Sequence, residues 1–151
     1  MFLWFLVTAQ FVLAALLVLS SRWTPIPWLE LLIAAPGIVL AVSAWLTMGL
    51  RRVRVHPGAT AETKLTTCGP YSIVRHPMYV GLLWFTAALL PSGFAWWRLV
   101  SWFALVLVLQ VKTIHEERSM ARRFAEYAVY QQQVGRLVPR FRSVFRFWRS
   151  S

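Results

Sequence analysis

Two short stretches hold the side chains that could do chemistry. The first runs from Gly69 to Gly81 and reads GPYSIVRHPMYVG; the second is the acidic pair Glu116-Glu117. Arg75, His76 and Tyr79 bring a fixed cation, an imidazole and a phenol close together. Pro77 falls where the first turn of a helix tolerates proline, since the missing N–H would be unpaired there anyway. His76, Tyr79, Val80 and Leu83 then share one helix face. Taken alone, Arg-His-Pro also reads as a basic turn at a membrane edge. The acidic pair shifts the balance. On a wheel of about 100° per residue, Met120, Phe124, Tyr127, Tyr130 and Val134 form one stripe, with Glu116 at its middle and Glu117 at its edge. A carboxylate on an apolar face is costly unless a cation or a hydrogen-bond donor meets it. Lys112 or Arg123 could supply a structural ion pair. Otherwise the two acids accept a cationic or amino-bearing ligand that also meets His76 and Tyr79.

The elements that must position these groups are apolar. Phe2 to Leu19 has only Thr8 and Gln10 as polar side chains, and no small-residue cleavage site follows it, so a retained span is expected rather than a signal peptide. Four spans are expected, at about residues 2–20, 29–50, 77–90 and 94–113, the third short for a full crossing. Pro36-Gly37 is expected to kink the second. A polar loop occupies 51–76 and a basic, helical C-terminal segment 114–151. The whole reads as one unit over residues 1–151, all-α, a polytopic transmembrane helical bundle.

Composition agrees with a membrane class. Hydrophobic residues make up 58% of the 151, mean hydropathy is +0.57, and net charge is +11 although only 14% of residues are charged. Arg22 and Arg98 alone among the 16 Lys and Arg lie beside the two short loops. The positive-inside rule therefore puts both termini and the 51–76 loop in the cytoplasm. The basic charge reads as topology and anionic-lipid contact, with the aromatic-basic tail Phe141–Trp148 as an interfacial anchor and no nucleic-acid partner. A lone Cys68 excludes an internal disulfide. His56, His76 and His115 have no short metal spacing, so no metal site is expected.

Leu65 to Pro139 resembles the isoprenylcysteine carboxyl methyltransferase and phospholipid methyltransferase superfamily of integral membrane enzymes. The resemblance rests on Leu65-Thr66-Thr67-Cys68-Gly69-Pro70-Tyr71, on Arg75-His76-Pro77-Met78-Tyr79-Val80-Gly81, and on Glu116-Glu117 with Met120, Phe124, Tyr127, Tyr130, Val134, Arg136 and Pro139. It implies S-adenosylmethionine as cofactor, bound by Tyr71, His76, Pro77, Tyr79, Gly81, Glu116 and Glu117. It also implies catalytic roles for Arg75 and Arg136 and a lipidic or small hydrophobic acceptor, such as a prenylcysteine-like carboxyl group or a lipid amine. Family members commonly have Phe-Gly and then Tyr four residues after the Phe; Phe124-Ala125-Glu126-Tyr127 lacks the Gly and one residue, a shift of about 100° on a continuous helix. A sterol-reductase-like enzyme using NADPH is the alternative, although Met78 and Leu82 replace the Asn and Glu usual there. A non-enzymatic membrane scaffold is the third reading.

Overall fold

The computed structural model describes residues 1–49 and 65–140. The first part of the expected 51–76 loop, His56 and the Phe141–Trp148 anchor lie outside the described residues. Among the described residues five α-helices follow one another: α1 (Phe2–Leu19), α2 (Trp28–Met48), α3 (Pro77–Ala88), α4 (Trp96–Arg123) and α5 (Tyr127–Gln133). A single 3₁₀ turn, Gly69–Ser72, precedes α3. The fold is an all-helical membrane bundle.

Local chemistry sets the boundaries. Gly49, at φ +86°, stops α2 in a conformation only glycine adopts without strain. Pro77 opens α3, with the Tyr79 and Val80 amides both bonding back to the His76 carbonyl at 3.1 Å. The helix α2 runs unbroken through Pro36. Beside that proline the Trp84 indole of α3 donates to the Ile33 carbonyl at 2.8 Å, next to the Leu32 carbonyl that Pro36 leaves without its usual partner. The pairing of α2 with α3 depends on small residues. A Cβ on Gly81 would stand 2.5 Å from the Gly37 carbonyl oxygen and 2.8 Å from the Ala41 Cβ. Only a bare backbone permits this approach.

Among the described residues three helices, α1, α2 and α4, are long and apolar enough to cross a membrane, and the third expected span, α3, is a shorter apolar helix. With 12 residues, α3 extends only about 18 Å, short of a hydrocarbon core of roughly 30 Å. The helix that carries the fourth apolar segment runs past Thr113. It continues as one rod of 28 residues to Arg123, so the acidic pair belongs to the same helix as the span.

The far end of the bundle is closed by Arg98. Its side chain is wholly buried. The guanidinium donates to the Leu17 carbonyl at 3.1 Å, Leu89 at 2.9 Å, Gly93 at 3.0 Å, the Ser21 hydroxyl at 2.8 Å, and the Ser92 carbonyl. Several of these oxygens end α1 and α3, where helix carbonyls lack intrahelical partners and carry partial negative charge. One cation thus gathers the C-terminal ends of two helices and the turn into a third. Leu17, Leu105 and Leu109 fill the core behind it.

Candidate functional site

At the other end the two polar islands meet. Glu117 of α4 is the centre and is almost fully buried, at 3% exposure. Its Oε1 accepts from Arg75 Nε at 2.9 Å and lies 3.2 Å from His76 Nε2; its Oε2 accepts from Arg136 Nη2 at 2.9 Å and Gln131 Nε2 at 3.2 Å. A carboxylate so surrounded can only accept, so in this contact His76 Nε2 is the donor, while Nδ1 faces the other acid. That acid, Glu116, has Oε2 3.7 Å from His76 Nδ1, while its Oε1 accepts from the Tyr79 hydroxyl at 2.8 Å. The His76 and Tyr79 rings stack in parallel, 5.5 Å between centroids.

Sequence periodicity placed Glu116, not Glu117, at the middle of the apolar stripe. The reverse holds because α4 is one rod: its buried face runs Leu105, Leu109, Thr113, Glu117 at intervals of four, continuing the membrane-spanning register. Neither Lys112 nor Arg123 pairs with Glu117. Its cations come from Arg75 and Arg136, distant in sequence. The helix breaks at Phe124, which is extended (φ −119°, ψ 112°), and restarts at Tyr127. Because of that break, the rotation of about 100° reckoned for a continuous helix does not apply between Phe124 and Tyr127. Met120, Phe124, Tyr127, Tyr130 and Val134 still cluster, through the reversal.

Beyond α5 the chain returns along the first island as a strap. Val74 and Gly135 form a parallel bridge, the Arg75 amide donates to the Gly135 carbonyl at 2.8 Å and the His76 amide to the Arg136 carbonyl at 3.2 Å. Gly135 has no room for a side chain, since a Cβ there would collide with the Val138 carbonyl oxygen. The Tyr130 hydroxyl donates to the Tyr71 carbonyl at 2.6 Å, and Arg75 Nη1 reaches the Gln131 and Val134 carbonyls at 2.9 and 2.5 Å. The strap therefore brings Arg136 to Glu117.

The remaining residues singled out from sequence sit as follows. Tyr71, in the 3₁₀ turn, is buried; its phenol is pushed up to about 12 by burial, with the Glu116 carboxylate adding to the effect. Tyr127 and Tyr130 are also raised, chiefly by burial, so all three phenols keep their protons. Pro77 is buried at the start of α3, and Gly81 lies against α2. Two further side chains stand beside the site: Lys112, expected from sequence only as an ion-pair partner for the acids, and Gln10, noted only as a polar break in the first span. Lys112 donates to Gln10 Oε1 at 2.8 Å and holds its ammonium 4.9 Å from the Tyr79 ring centroid. Gln10, one of two polar side chains in an otherwise apolar first helix, was the signal that could have found them.

A helical membrane bundle, with a polar centre built at one end from a turn, two helix segments and a returning strap, is the class the geometry defines. The family model for phospholipid methyltransferases matches residues 25–127, and the chain belongs to that family of membrane methyltransferases. The match takes in both islands and stops before Arg136. Among curated proteins the chain is similar to the cobalt-zinc-cadmium resistance protein CzcN of Cupriavidus metallidurans, 34% identical over 147 residues, covering 93% of this chain and 63% of the relative. It is also similar to the nickel-cobalt-cadmium resistance protein NccN of Alcaligenes xylosoxydans xylosoxydans, 28% identical, covering 93% of this chain and 64% of the relative. The chain thus spans a little under two thirds of the length of these relatives. No solved structure matches it.

Proposed function

We propose that the chain transfers a methyl group from S-adenosylmethionine to a lipidic or small hydrophobic acceptor at the cytoplasmic edge of the membrane. The observation that carries this reading is a pair of groups in the polar centre with bonding capacity to spare. Among the described residues Arg136 Nε is buried without a hydrogen-bond partner, and the Glu116 carboxylate, a quarter exposed, has only His76 within ion-pair distance. A charged N–H donor left open suits a carboxylate, and an open carboxylate suits an ammonium or paired hydroxyls. These are the polar ends of an amino-acid nucleoside, so the residues present fit the donor. When bound, it supplies a sulfonium methyl as electrophile.

The residues divide the work. Glu116 and Arg136 bind the polar ends, while Tyr79, Tyr71 and His76 offer ring faces. Glu117 is already saturated by Arg75, His76, Arg136 and Gln131, and its part is to hold those groups in place. Arg75 is likewise engaged with Glu117, Gln131 and Val134, so it fixes the strap rather than orienting an acceptor. Displacement at a methyl group asks a protein mainly for alignment and charge complementarity. The exposed apolar flanks of α1 and α2 let an acceptor arrive from lipid while limiting water.

Titration of the purified protein with S-adenosylmethionine tests this directly. Binding is expected in the wild type and lost in His76→Ala and Glu116→Ala; unchanged affinity in both variants would remove the assignment. Mass spectrometry of lipids after incubation with methyl-labelled donor then identifies the acceptor.

A further inference from the structure

A string of contacts links α1 to the polar centre through Lys112. Gln10 and Lys112 are both buried, each at 7% exposure. Gln10 Oε1 accepts from Lys112 Nζ at 2.8 Å, the ammonium stands 4.9 Å from the Tyr79 ring centroid, and the Tyr79 hydroxyl donates to Glu116 Oε1 at 2.8 Å. Among the described residues no carboxylate lies within ion-pair distance of Lys112. A desolvated ammonium with one amide oxygen and one aromatic face for company is a poor way to stabilise a bundle, where a methionine of similar size would pack without the desolvation cost. A cation over a phenol ring does hold that ring in one orientation.

We propose that Lys112, anchored by Gln10, is a positioning residue: it fixes the Tyr79 ring and, through the Tyr79 hydroxyl, aims the Glu116 carboxylate at its ligand. The inference rests on the proposed function for the identity of that ligand, but not for the Lys112–Tyr79 coupling itself. It gives α1, which lies outside the family match and touches neither island directly in sequence, a specific link to the site. Lys112 acts through its neighbours and needs no contact with donor or acceptor.

The test uses the full chain in detergent, with Lys112→Met, Lys112→Arg and Gln10→Leu. Lys112→Met should weaken S-adenosylmethionine binding by up to about thirtyfold, the worth of one desolvated cation–π contact, while the unfolding temperature stays level or rises. Lys112→Arg should restore most of the affinity, and Gln10→Leu should fall between. The resonance of ¹³C-labelled Tyr79, assigned with Tyr79→Phe, should move in Lys112→Met without any donor present. A Tyr79 resonance unmoved by both Lys112→Met and Gln10→Leu would overturn the proposal. So would an affinity loss that merely tracks lost stability and that arginine does not repair. Should the wild type bind no S-adenosylmethionine, the proposed function fails while the Tyr79 resonance still decides the role of Lys112.

Discussion

Adjacent acids on one helix should fail in opposite ways when removed. Glu117→Ala takes away the acceptor for Arg75, His76, Arg136 and Gln131. Arg75 and Glu117 are 8% and 3% exposed, and removing one member of such a buried pair costs about 3–5 kcal/mol because the other charge is left stranded. Arg136 is 35% exposed, so its share is that of a surface pair, about 0.2–1 kcal/mol. The sum is about 3–6 kcal/mol, and at roughly 2–4 °C per kcal/mol for a chain of this size the midpoint should drop by about 6–24 °C. Glu116→Ala loses one hydrogen bond from Tyr79, about 0.5–1.5 kcal/mol, and a few degrees at most. Thermal unfolding of both variants in detergent, followed by intrinsic fluorescence, measures the first contrast. Calorimetric titration with S-adenosylmethionine measures the second: Glu116→Ala should stay folded and bind nothing. Equal loss of stability in the two variants would refute the division of labour between the acids.

Further outcomes follow from other contacts. Gly81→Leu should destabilise the α2–α3 pair by about 1–3 kcal/mol, since backbone of α2 blocks the new side chain; disulfide trapping of cysteines placed across that contact would show it loosening. Tyr130→Phe should cost about 1–3 kcal/mol by leaving the buried Tyr71 carbonyl without its donor, and hydrogen exchange of residues 69–76 should rise. Arg98→Met should lower the unfolding midpoint sharply, with no rescue by lysine, because a point charge cannot reach the Leu17, Leu89 and Gly93 carbonyls together. Donor affinity per folded molecule should survive that change, since Arg98 closes the opposite end.

Much of this molecule is legible in its residues because lipid leaves few choices. Long apolar runs with polar punctuation must be helices, and α1 and α2 fall within two residues of their expected limits. The cluster of Tyr127, Tyr130 and Val134 with Met120 and Phe124 also followed from spacing. It survived the break at Phe124 because side chains that need burial find one another whatever the backbone between them does. The identity of the buried acid did not follow, because periodicity was counted afresh from Glu116 instead of being carried down the spanning helix. The contacts of Arg98, Lys112 and Gln10 did not follow, because a single polar residue in an apolar run signals burial only when its partner, on another helix, is known. The bridge between Val74 and Gly135 leaves even less trace, since main-chain pairing is indifferent to side-chain type.

That bridge sets an order of assembly. The residues that complete the polar centre, Gln131 to Arg136, are made after the three helices among the described residues that are long enough to cross a membrane. During synthesis the apolar rods can therefore settle in lipid while Arg75, His76 and Glu117 still lack their last partner. The centre is finished only when the strap docks beside the arginine-histidine turn, so a ligand meets a complete site no earlier than that final clasp.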